Sequence, residues 1–286
     1  MRRLLIRLVP LAAAVAAVAP AAAHPGVGIV RDASGNVYYT DLSRVWKIDV
    51  LGRKSVAVPG VHTHELWLDP GGALYGEHLW YEGDATKAWG HRVWRLAPDG
   101  SLADVVPARR GFRTDYSFVR DGAGNGFWHV GETPVRFLVR GAAGEVSVRA
   151  VCRDCRDVRW TTAAPDGTLW FVDAGALRAV SPEGTIRTVA RGLSARGLLS
   201  ESTGARHALM GIWLGPGGVY VARFSTREVL RAALDGTVSI AARSSPPWSP
   251  TGGTFAPDGT LWLLECSVAN AVRVRRIAPD GRETIY

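Results

Sequence analysis

The chain has 286 residues, 47% of them hydrophobic and 9% aromatic. It is long enough to bury a sizeable core and too apolar to be a disordered segment. Its 34 Lys and Arg against 26 Asp and Glu give a formal net charge of +8, but the Arg residues are scattered, which argues for a solvated surface and against a nucleic-acid partner.

Residues 1–23 read as a signal peptide, removed on export to the periplasm or the cell exterior. Arg2, Arg3 and Arg7 form a basic start, an apolar run from Leu8 to Ala19 follows, and Ala21-Ala22-Ala23 offers a small-residue cleavage site. Arg2-Arg3 also fits a twin-arginine signal, so two export routes stay open. No later apolar run approaches the ~20 residues of a spanning helix, so no membrane span is expected. Residues 24–286 carry no Pro- or Ser-rich linker and are expected to form a single, monomeric domain.

Within that domain Asp32-Ala-Ser-Gly-Asn-Val-Tyr-Tyr-Thr-Asp41 returns five times, the last copy being Ala256-Pro-Asp-Gly-Thr-Leu-Trp-Leu-Leu-Glu265. Its turn glycines are Gly35, Gly72, Gly124, Gly167, Gly217 and Gly259. A period of this size marks repeated supersecondary units, none of which buries its apolar face alone. Each glycine is followed by a two-residue alternation of apolar and aromatic positions, as in Leu169-Trp170-Phe171, which reads as a strand. A second turn glycine follows in every unit, at Gly52, Gly100, Gly144, Gly184, Gly236 and Gly281. Third strands such as Arg44-Val-Trp-Lys-Ile48 precede it, and fourth strands such as Ser55-Val-Ala-Val58 come after. Six units of four antiparallel strands predict an all-β fold, a six-bladed β-propeller. Glu283-Thr-Ile-Tyr286 supplies the last unit with its own fourth strand, so first and last blades are expected to close the ring by packing.

The Pro-Asp-Gly-Thr-Leu-Trp copies at 165–170 and 257–262 resemble the NHL-repeat, SMP-30/gluconolactonase and streptogramin-lyase-like propellers. Tyr38-Tyr39-Thr40-Asp41 is also similar to the YWTD repeat of receptor propellers. The resemblance implies the fold across 24–286 and leaves function open among hydrolases, lyases and binding scaffolds. The SMP-30 metal ligands do not transfer: its Glu-Gly-Pro stretch reads Gly26-Val-Gly-Ile29 here, and the inner-strand starts read Met210-Gly211 and Thr251-Gly252.

Propeller topology puts both glycine turns of a blade on one face and the inter-blade connections on the other. On that second face lies a column six residues after each first glycine, including Asp41, His78, Asp173 and Glu265. Inter-blade segments bring His62, His64, Glu65, Asp115, Asp157 and His207 there too. In blade two, alternation sets His62 and His64 on one side, and the next strand brings Glu77 and His78 alongside. Those four are the candidate ligands of a divalent metal, Ca, Mg or Zn. Asp173, Glu265 and Asp115 are candidates for a further ligand or a general base, although Asp in this column also satisfies loop backbone in such repeats. The spacing between turn glycines is 28 residues in blade two against 17 to 22 elsewhere, and the excess carries Trp80, Tyr81 and Trp89, candidates for stacking on a ligand. Cys152-Arg-Asp-Cys155 fits a local disulfide, a redox pair or half a zinc site; no second pair stands at zinc spacing, which favours the disulfide and leaves Cys266 free.

Two functions follow. One is an exported metal-dependent hydrolase or lyase, lactonase-like, acting on a small polar substrate. The other is a non-catalytic propeller that binds a carbohydrate, peptide or protein partner through the blade-two aromatics.

Overall fold

The computed structural model describes residues 25–82, 88–111, 117–131, 133–141, 143–194 and 208–286. The expected signal peptide therefore lies outside the described residues, as do Asp115 and His207. Six four-stranded antiparallel sheets follow one another along the chain, each built from four consecutive strands in meander order. This is the six-bladed propeller that the repeats predict.

All twelve turn glycines named above have positive φ, between +72° and +95°, a region open to Gly at little cost. The Pro-Asp-Gly-Thr copies are turn chemistry. Gly167 N–H donates to Ala164 O at 2.9 Å, and the Asp166 carboxylate accepts Thr168 N–H at 2.9 Å. Gly259 and Asp258 repeat these bonds with Ala256 and Thr260. The acid that recurs in this motif is therefore occupied by backbone.

Burial is greatest in the second strand of each blade and falls toward the outer edge, while the innermost strands that line the cavity are half-buried. Second strands such as Leu169–Asp173 and Leu261–Ser267 are buried at every position, because a sheet packs on each of their faces. Outer strands such as Leu102–Arg110 are almost wholly exposed. The apolar clusters lie between neighbouring blades: Phe127 and Phe137 of blade three pack with Phe171 of blade four, and Trp170 of blade four with Val221 of blade five.

The ring closes by packing, since no strand is exchanged between first and last sheets. Ile29, Val37, Tyr39 and Ile48 of blade one form one cluster with Trp262, Leu264 and Val274 of blade six, and Tyr286 stacks on Trp262 with ring centroids 5.5 Å apart. No helix among the described residues is long and apolar enough to cross a membrane.

Candidate functional site

The connection from blade one to blade two is held from both sides. Val27 and Gly28 N–H donate to His64 O at 2.9 and 2.8 Å, and Thr40 Oγ1 donates to Thr63 O at 2.7 Å. On the other flank Leu79 N–H donates to His62 O at 3.1 Å, while Thr63 Oγ1 donates to Glu77 O. Trp94, fully buried, donates its Nε1 proton to the same Glu77 carbonyl at 2.9 Å. Gly76 lies opposite Trp94 across the strands and leaves room for the indole: a Cβ there would stand 2.1 Å from its Cζ2.

These bonds fix three side chains into a chain of contacts. His64 Nδ1 lies 3.2 Å from Glu77 Oε1, and His64 Nε2 lies 3.3 Å from His62 Nε2. A neutral His64 that donates from Nδ1 to the carboxylate presents its Nε2 as an acceptor for His62. His91, 5% exposed, brings its Nε2 within 3.6 Å of Glu77 Oε2. His78 is placed beside this group, with its Nδ1 accepting His62 N–H at 2.9 Å and its ring stacked on Trp80 at 5.6 Å. Burial, reinforced by Arg92 and partly offset by Asp104, holds the His78 imidazole below its ordinary range.

One residue further, Glu65 points into the central cavity, a space of about 300 Å³ walled by the innermost strands of all six blades. Its carboxyl is pushed up to about 7, first by burial and then by the Glu77 charge, with His64 partly offsetting both. Glu65 has no hydrogen-bond or ion-pair partner among the described residues.

Asp173, Glu265 and Asp41 are tied to protein donors. Asp173, 6% exposed, accepts the backbone N–H groups of Arg156 and Asp157 at 2.8 and 2.9 Å and pairs with Arg178 at 3.0 Å. Glu265, fully buried, accepts from Ser244 Oγ at 2.6 Å, Arg273 Nε at 2.6 Å and Arg275 Nε at 3.1 Å. Asp41 caps its own loop and accepts from Trp46 Nε1 at 2.7 Å. At the blade-two hairpin, Tyr81 and Trp89 face each other at 4.9 Å and are 43% and 41% exposed. Trp80 instead lies flat on Gly90, its cross-strand partner.

Among the described residues, one group of three Cys, His, Asp or Glu brings its ligand atoms within 4.8 Å of one another, namely Cys152, Asp154 and Cys155. The two sulfurs are joined in a disulfide, the outcome that the sequence favours, and Cys266 is a buried free thiol. His91 escaped the sequence reading. The signal for it is register: pairing Tyr81 with Trp89 sets His91 opposite Leu79, two residues from the Glu77 partner Val93.

No family model matches this chain, and no curated protein matches it in sequence. Solved structures do match in fold. A streptogramin B lyase structure is 16% identical, with a TM-score of 0.52 over 91% of this chain and 82% of that one. Two glucose dehydrogenase structures are 15% and 14% identical, with TM-scores of 0.55 and 0.57 over 88% and 89% of this chain and 96% and 97% of theirs. At such identities the likeness establishes the propeller architecture and nothing finer.

Proposed function

We propose that this protein is an exported hydrolase or lyase that acts on a small polar, lactone- or ester-like substrate at the blade-two rim, with His64 as the group that moves the proton. The observation that carries this reading is the contact chain from Glu77 through His64 to His62. Glu77 fixes the tautomer of His64 and would stabilise its imidazolium once a proton is taken. His62 gives that proton a second station. Asp173 and Glu265 serve as anchors of the scaffold, since guanidinium and backbone donors occupy them.

The same pair suits a divalent metal, and with an ion bound both imidazoles would be ligands and neither would carry the proton. Two imidazole nitrogens 3.3 Å apart match the separation of two ligands on a tetrahedral ion with metal–nitrogen bonds of about 2.0–2.1 Å. Glu77 behind His64 is then the outer carboxylate that orients a ligating imidazole. Nitrogen donors fit Zn better than Ca or Mg, which favour oxygen. Bound there, the ion would polarise a carbonyl or acidify a water. His62 and His64 supply two protein ligands, so water or substrate fills the remaining positions. The Cys152–Cys155 disulfide suits the oxidising compartment that export implies.

Elemental analysis of the full chain after dialysis, followed by a lactone and ester screen with and without chelator, tests the proposal. Turnover and bound metal are expected to disappear together in His64→Ala. Undiminished turnover in that variant would reject it. A second reading, non-catalytic binding of a carbohydrate by Trp80, Tyr81 and Trp89, draws support from the exposure of the Tyr81–Trp89 pair. Oligosaccharide affinity lost in Trp89→Ala, in a protein without turnover, would favour that reading.

A further inference from the structure

The central cavity carries one carboxylate and one guanidinium among its described lining residues, Glu65 and Arg120, and they sit apart along its axis. Glu65 precedes Leu66, which pairs with the residue four past its turn glycine, whereas Arg120 pairs with Gly126, two past its own. The two positions differ by three residues along equivalent strands, or roughly 10 Å. Arg120 is engaged locally: its Nη1 donates to Val119 O at 3.0 Å, and its guanidinium lies 5.3 Å over the Trp67 ring. Glu65 has no such partner. It stands at the histidine end of the cavity, with Trp160, Trp213 and Phe118 among the remaining walls.

A half-buried carboxylate that lines a cavity with aromatic residues among its walls, and has no hydrogen-bond or ion-pair partner among the described residues, is an incomplete ion pair. The group that completes it must be positively charged and must cover apolar surface. A hydrated inorganic cation does the first and not the second, because it wants several oxygen ligands. An alkylammonium does both, and aromatic faces attract it through the ring quadrupole. The cavity holds on the order of ten water volumes at about 30 Å³ each, so the ligand has about ten non-hydrogen atoms or fewer.

We propose that the central cavity is a binding site for a small organic ammonium ion, with Glu65 as its counter-ion. The site is independent of any chemistry at His64, since it needs neither turnover nor metal.

Calorimetric titration of the full chain with choline, and with its uncharged carbon isostere dimethylbutanol, tests this. Choline is expected to bind at least about tenfold more tightly than the isostere, because only choline gains the ion pair. In Glu65→Gln the choline affinity should fall by about tenfold and the isostere should be unaffected; loss of a desolvated charge leaves this variant folded. Equal affinities for the two probes in the unmodified protein would overturn the proposal, as would choline binding indifferent to Glu65→Gln. Calcium or zinc binding that depends on Glu65, with no response to choline, would overturn it in favour of a metal.

Discussion

Replacement of Glu265 by Ala distinguishes an anchor from a catalytic base. The carboxylate is fully buried and binds Arg273, Arg275 and Ser244, so its removal strands two guanidinium groups and a hydroxyl. Breaking a buried pair from one side costs about 3–5 kcal/mol. Two features place this case at the lower end. Arg275 keeps Glu283 at 2.7 Å and the Arg243 carbonyl at 2.8 Å. Arg273 keeps the Trp248 ring at 4.3 Å, and its side chain is 19% exposed. A loss of about 3 kcal/mol is expected, equivalent to a melting temperature lower by roughly 6–12 °C for a domain of this size. Urea unfolding followed by circular dichroism measures the loss. Substrate turnover and choline affinity, measured per folded molecule, should not change. A loss below about 1 kcal/mol would refute the anchoring argument. A stable variant without turnover would return Glu265 to the chemistry.

Three further outcomes are expected. Gly76→Ala places a Cβ 2.1 Å from buried Trp94, so it should cost about 1–3 kcal/mol by overpacking; because Trp94 also holds the Glu77 carbonyl, turnover per folded molecule should fall with it, as seen by steady-state kinetics beside a melting curve. Burial pushes the Cys266 thiol up to about 11, so at pH 8 the folded protein should be inert to a thiol reagent and the denatured protein should release one equivalent per chain; rapid labelling of the native state would contradict that burial. Replacing Cys152 and Cys155 together by Ser opens a loop of three-residue separation, for which chain entropy predicts a loss of about 2 kcal/mol, measurable by urea unfolding.

Much of the architecture was readable in the residues because its causes are local. A turn glycine with positive φ needs only its own neighbours, and alternation along a strand needs only that one face be buried, so Gly35 through Gly281 and the aromatic column at Tyr38 to Trp262 announce blades without any distant partner. His62, His64 and Glu77 do touch, and His78 accepts the His62 N–H, but the two histidines stand in the connection before the Leu66–Leu68 strand, so its backbone bonds to both flanks set them there as much as any alternation. Partnership across strands was not readable. That Asp173 meets Arg178, that Glu265 meets two guanidinium groups, and that His91 reaches Glu77 all depend on register and side-chain direction. Glu65 is the sharpest case. Its neighbours in sequence make it look like another rim acid, but closure of six sheets around a hub half-buries it in the central cavity with no partner among the described residues, because desolvation is a property of the assembled ring and of no single strand within it.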